Sequence, residues 1–152
     1  MKLENRCLIP ASREITWNLL MDVPRSVALV PGIEQVTPDG DDRYQATMKI
    51  SVGPMRINFS GTIRVLGQDA DKGEARFLVE ATDRRVGGSL RSEMVVRVST
   101  QPDGQTELVI ETDVAFMGKL GELGQPIIRR KAASALNDFA RNLSDLARSS
   151  AD

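Results

Sequence analysis

The sequence contains no histidine, which removes the commonest general base, the Ser-His-Asp arrangement and the usual metal-binding side chain together. Its one cysteine, Cys7, excludes an intrachain disulfide and a Cys-based zinc cluster, and suits a reducing cytoplasm. An excess of one charge is also missing. Twenty basic against 21 acidic residues leave a net charge of -1, so no overall field recruits nucleic acid and only local patches remain to be read. Aromatic residues make up 4% of the chain, which argues against a stacking site for bases, flavins or nucleotides. No apolar run approaches the roughly 20 residues needed to span a bilayer, and the charged start Met1-Lys2-Leu3-Glu4 does not read as a signal peptide. Repeats, linkers and low-complexity stretches are lacking, so residues 1–149 read as one domain and 150–152 as a short polar tail.

What is present is organised around the C-terminal segment. Ile128, Ala132, Ala135, Leu136, Phe139, Leu143 and Leu146 recur at three- and four-residue steps, which predicts one amphipathic helix of roughly 23 residues and roughly 35 Å. Pro126 suits its first turn; Arg129, Arg130, Asn137, Asp138, Arg141, Asn142 and Asp145 fall on the wet side. At the other end, Leu3 to Ile9 predicts a strand, and Ser12 reads as the N-cap of a helix with an apolar face of Trp17, Leu20 and Met21. Asp22-Val23-Pro24 starts a second short helix carrying Val27, Leu29 and Val30, which Pro31-Gly32 stops. From there the period changes to two. Tyr44 to Val52, Ile57 to Val65, Ala75 to Ala81, Leu90 to Val98 and Leu108 to Phe116 alternate as strands separated by Gly, Pro and Asp turns. The predicted fold class is α+β: a curved antiparallel sheet of about six to seven strands, two short helices after the first, and a long helix laid across one face.

An antiparallel meander fixes which turns share an end. Gly53-Pro54, Arg84 to Gly88 and Gly118 to Gly124 fall at one end, and the turns bearing Asp39, Asp41, Asp42, Asp69, Asp71 and Asp103 at the other. The first end carries the cations Arg84, Arg85, Lys119, Arg129, Arg130 and Lys131, the expected membrane or partner contact. Three of them sit near the helix start, where the positive end of the macrodipole makes them unfavourable by about a few tenths of a kcal/mol each. Anionic headgroups would relieve that; a merely solvated charge run is the alternative. The loop Gly118 to Gly124 reads as a movable gate. Small inward residues at Ala46, Gly61, Ala75, Ala81 and Ser92 predict an apolar cavity of about 300 to 1,000 Å³ that opens at the cationic end. Its expected strand lining is Tyr44, Met48, Phe59, Gly61, Ile63, Phe77, Ser92, Met94, Ile110, Thr112 and Phe116. Leu120 and Leu123 join from the gate, and Ile128, Ala132 and Leu136 from the helix. Ser92 and Thr112 are placed to orient a carbonyl or hydroxyl, or to bond each other or a buried water. Glu80, Glu93, Glu107, Glu111 and Asp113 alternate outward, so no catalytic residue, metal or cofactor is expected, and Tyr44 is the one inward phenol.

Trp17 to Asp22, Val30-Pro31-Gly32, Val52-Gly53-Pro54, Phe59-Ser60-Gly61, the Gly118 to Gly124 loop and the terminal helix, in that order and spacing, carry a resemblance spanning nearly the whole chain. The chain resembles the CoxG family of carbon monoxide dehydrogenase subunits, within the helix-grip superfamily of START-like and birch-pollen-allergen-like domains. The resemblance implies a deep apolar cavity between helix and sheet, and a role beside molybdenum hydroxylases of the carbon monoxide dehydrogenase type. That role is to bring such enzymes to the membrane or to carry a lipophilic electron acceptor such as a quinone. Some relatives extend into a membrane anchor, whereas this sequence ends at Asp152 in a polar tail, so a cytoplasmic carrier, peripheral at the inner face of the cytoplasmic membrane, is expected. Two alternatives stay open: a polyketide cyclase or dehydratase-like enzyme, and a pure assembly factor for the hydroxylase.

Overall fold

Alternation of inward apolar and outward polar side chains over residues 2–118 can bury one face only if the strands share a sheet and something covers it. In the computed structural model, which describes residues 1–151, that is the arrangement. The elements in order are β1 (Lys2–Ile9), α1 (Arg13–Met21), α2 (Val23–Val27), β2 (Ile33–Pro38), β3 (Arg43–Val52), β4 (Met55–Asp69), β5 (Glu74–Asp83), β6 (Gly88–Thr100), β7 (Thr106–Gly118), a 3₁₀ turn (Lys119–Glu122) and α3 (Gln125–Ala151). The seven strands form one antiparallel sheet in the order β1-β7-β6-β5-β4-β3-β2, so β1 closes onto the last strand while the others run as a meander. This is the α+β arrangement that the patterning implies, a curved antiparallel sheet with a long helix laid across one face.

Local chemistry sets the boundaries. Ser12 caps α1, its hydroxyl accepting the Ile15 N–H at 3.2 Å. Pro24 lies in the first turn of α2, which is shorter than the sequence suggests. Leu29 and Val30 fall beyond its end, in turns closed by Leu29 N–H to Ser26 O and Val30 N–H to Val27 O. Gly32, at φ 90°, then redirects the chain into β2.

α3 runs longer than its apolar stripe, through Ser150 to Ala151; Asp152, the end of the expected tail, lies outside the described residues. Its buried positions Ile128, Phe139, Leu143 and Ala147, with half-buried Ala132, Ala135, Leu136 and Leu146, reproduce the predicted stripe and add Ala147 to it. Burying each large member is worth roughly 1.5–3 kcal/mol, which is what holds so charged a helix on the sheet.

The interior is divided in two. Trp17, Leu19 and Leu20 of α1 and Phe139 and Leu143 of α3 pack solidly on Ala75, Val96, Val98, Leu108 and Ile110. A second, smaller cluster of Val52, Ile57, Phe59 and Leu120 gathers at the end where β3 turns into β4. On the outer face the charges pair across strands, Arg91 with Glu80, Arg97 with Glu74 and Glu111, and Arg6 with Glu107, and along β6, Arg91 with Glu93. The strand register is therefore the one that turns all these carboxylates outward, Glu93 included.

Candidate functional site: an apolar cavity beneath the terminal helix

The smallest side chains of three strands stand in one row. Ala46 on β3 is opposite Gly61 on β4, which is opposite Ala81 on β5; the row continues through Leu90 on β6 to Phe116 on β7. α3 passes over it with Ala132 and Ala135. Small residues facing small residues leave a gap, and the gap is a cavity of about 470 Å³. Ile57, Phe59, Ile63 and Val79 wall it on the sheet side and Ile128 on the helix side. Gly61 is required by a close approach of β5: a Cβ there would collide with the Glu80 carbonyl oxygen and lie 2.7 Å from Ala81 Cα.

One end of the cavity is plugged. Gly118, at φ 67°, swings the chain over the sheet end, where Lys119 N–H donates to Gly87 O at 3.0 Å. This sets Leu120, fully buried, onto Gly88, where any Cβ would collide with it. Leu120 and Leu123 both line the cavity. The opening is sideways: exposed Lys49 and Ser51 of β3 stand across from exposed Lys131 and Ser134 of α3, with Pro31-Gly32 at the corner. Lys49 Nζ lies 3.5 Å from Glu34, and Asp138, also in the lining, is 3.5 Å from Arg141. Lys131 makes no ion pair among the described residues. Glu80 borders the cavity beside Gly61, but its carboxylate faces Arg91 on the outer side at 3.5 Å.

The carboxylate most strongly held in this half of the molecule has a structural task. Asp83, 3% exposed, accepts the N–H groups of Asn58 at 2.7 Å, Arg85 at 2.9 Å and Val86 at 3.1 Å, which pins β4 to the turn after β5. The Asn58 bond first and the Val86 bond next hold its pKa below the usual carboxylate value, against the opposing effect of burial. A depressed pKa contributes stability that is fully present above the unfolded value, about 3.9, and is lost as pH falls through the lower folded value. Asp83→Asn should therefore unfold at a lower temperature than wild type at pH 7. The gap should narrow below about pH 4 as the wild-type carboxyl is protonated, and thermal melts from pH 7 to pH 2.5 check both statements. Cys7 is no nucleophile in waiting: burial first, then neighbouring Glu107, raises its thiol pKa.

The family model of the carbon monoxide dehydrogenase subunit CoxG matches residues 7–147, nearly the full length. The chain belongs to the CoxG family. No protein of curated function matches it in sequence. Among solved structures, a conserved protein from Geobacillus kaustophilus superposes with a TM-score of 0.89 at 19% identity, covering 100% of this chain and 98% of its own. A START superfamily protein from Mycobacterium smegmatis gives 0.70 at 11%, covering 97% of both chains. The Zhui aromatase/cyclase from Streptomyces sp. R1128 gives 0.61 at 16%, covering 99% of this chain and 93% of that one. At such identities the likeness establishes the helix-grip fold, which in other hands holds an enzyme.

In this CoxG-family chain, nine of the expected lining residues meet at the cavity: Met48, Phe59, Gly61, Ile63, Phe116, Leu120, Leu123, Ile128 and Ala132. Seven do not line it. Phe77, Met94 and Leu136 pack against the solid cluster that contains Ile110. Ser92 is buried in register with Val79 and Val114, Thr112 stands between Leu3 and Met94, and Tyr44 lies between Pro38 and Ile63. α1 and the second half of α3 fill the part of the sheet that carries Phe77, Met94 and Ile110, while Ser92 and Tyr44 stand one strand beyond the wall residues Val79 and Ile63, outside the lining. The six cations expected at the mouth are dispersed rather than gathered there, and of those six only Lys131 lines the cavity. Arg129 donates to Lys2 O at 3.1 Å on the β1 side, Arg130 to Pro126 O at 3.4 Å, and Arg85 to Arg56 O at 3.5 Å. Arg84 and Lys119 are exposed in their turns, outside the lining. The expected opening at the cationic end is corrected because Leu120 and Leu123 stopper it. Ile33, Ala135 and Asp138 are lining residues missing from the predicted set. Ala135 was legible in the helical stripe, whereas Glu34-Gln35-Val36-Thr37 gives the strand after Ile33 no clear alternation.

Proposed function

We propose that the protein is a non-catalytic carrier that shelters a lipophilic small molecule, a quinone or other amphiphile, beneath α3. It serves a carbon monoxide dehydrogenase-type molybdenum hydroxylase, the partner that membership of the CoxG family suggests. The observation that carries this reading is the 470 Å³ apolar cavity with no titratable side chain on its floor. Burial of roughly 0.8 kcal/mol per CH₂ makes binding of an acyl or prenyl tail at micromolar level attainable without polar contacts. Peripheral contact with the inner face of the membrane is part of the same proposal. Its support is exposed Met117 and Ile127, 50% and 40% accessible, near Lys119 and Arg130 in the chain. No helix among the described residues is long and apolar enough to cross a bilayer.

Native mass spectrometry of freshly purified protein tests the carrier reading. A bound lipophile of defined mass is expected; an empty protein that also ignores added decyl-quinone would remove it. A second reading, a cyclase, draws on the fold shared with an aromatase/cyclase and on Asp138, the one carboxylate in the lining not turned to the outer face. Turnover of a polyketide lost in Asp138→Asn would favour it.

A further inference from the structure

The carrier reading leaves open what kind of amphiphile fits and which end goes in. Three features of the cavity decide this. Its volume is the first. A dry apolar cavity of about 150 Å³ takes one benzene, so 470 Å³ has room for about three six-carbon units, on the order of 18 carbons. The second is the distribution of polarity. The row from Ala46 through Gly61 and Ala81 is apolar, and Ser92 and Thr112, the hydroxyls expected to meet a head group, are not in the lining. A polar head placed on this floor would be desolvated without a partner. The third is the charge at the mouth. Lys49 is paired with Glu34 and Asp138 with Arg141, which leaves Lys131 as the rim cation without a carboxylate partner among the described residues. Gln125 to Lys131 contain no acid, so no carboxylate in the first two turns of α3 offsets Lys131. Asp138 sits seven residues further on, about 10 Å along the axis.

Resting on the carrier reading, we propose that the cavity takes a single-chain amphiphile with an anionic head, tail first, with its head at Lys131 and at most about 18 carbons buried. A second acyl chain, or a longer polyprenyl tail, has no room inside and trails out between Lys49 and Lys131.

The test is a binding series on the full chain. Saturated carboxylates from octanoate to docosanoate, each below its critical micelle concentration, are titrated alongside the matched alcohols, lysophosphatidate and decyl-quinone. Affinity should rise by up to about fourfold per methylene and level off near 18 carbons. Carboxylate and lysophosphatidate should bind about two- to fivefold more tightly than the alcohol of equal length, and Lys131→Met should abolish that preference without changing the length limit. A rise that continues undiminished to docosanoate, or a head-group preference that Lys131→Met leaves intact, overturns the proposal. Binding of decyl-quinone but of no acid overturns it and leaves the carrier reading standing. Binding of neither removes both.

Discussion

Gly61→Val is expected to destabilise the protein by more than about 3 kcal/mol, at or beyond the upper end of ordinary overpacking, and Gly61→Ala by about 1–3 kcal/mol. The reason lies in the main chain rather than in a repackable side chain. A Cβ on Gly61 would meet the Glu80 carbonyl oxygen and the Cα and Cβ of Ala81, so β4 and β5 would have to separate in the middle of the sheet. Separation weakens ladder hydrogen bonds, each worth about 0.5–1.5 kcal/mol net, on the two strands that floor the cavity. Gly67, on the same strand, is the internal control. A Cβ there meets nothing within 4 Å, so Gly67→Ala should be neutral or stabilising by up to about 1 kcal/mol through the unfolded chain. Urea unfolding of the three variants decides the matter; a Gly61→Val protein as stable as wild type would show that strand approach does not dictate this glycine.

That glycine also shows what the sequence makes legible and what it hides. Away from the irregularities in β2 and after Val65 in β4, period-two alternation names the face of the strand residues, and the register bears this out from Tyr44–Ile63 to Val98–Leu108. Alternation says nothing about position along the strand. Phe59 and Phe77 have the same inward phase; Phe59 walls the cavity while Phe77 packs against the solid cluster, because α1 and the Phe139–Leu143 part of α3 lie over the second and not the first. Ser92 and Thr112 read as inward polar groups, yet neither lines the cavity: Ser92 stops one strand short of it, beside the wall residue Val79, and Thr112 lies further off on β7 between Leu3 and Met94.

The loop Gly118 to Gly124 exposes a different limit. Its glycines and leucines suggest a gate at an open mouth, and the sequence cannot tell that from a stopper. The difference is made by Gly88, a residue 32 positions away from Leu120 in the chain, whose missing side chain lets Leu120 seat and become fully buried. Long-range fits of this kind leave no local signature. The sideways opening follows from the same fit: with the end sealed and Glu80 turned to the outer face, the exposed residues left in the lining are those of β3 and α3, Lys49, Ser51, Lys131 and Ser134, with Gly32 beside them.

Ala135→Phe should lower affinity for an acyl or quinone guest by more than about fiftyfold while leaving the fold as stable as wild type or more so. Ala135 is half-buried on α3 and lines the cavity from above, so a phenyl ring there points into empty space rather than into the packed cluster. By the measure of one benzene to about 150 Å³, the ring takes about a third of the 470 Å³. A guest forced out by as little as three methylenes loses about 2.4 kcal/mol, which at 1.4 kcal/mol per decade is the stated loss. Ala133→Phe, exposed on the same helix, should bind as wild type does. Because the cavity variant is filled rather than emptied, lost binding with an unchanged or raised melting temperature separates a blocked site from a broken fold. The same variant divides the carrier from the assembly factor: if Ala135→Phe still captures a molybdenum hydroxylase and restores its electron transfer, the cavity is incidental and the exposed surface of the chain does the work. If capture survives but transfer fails, the sheltered guest is what the enzyme needs.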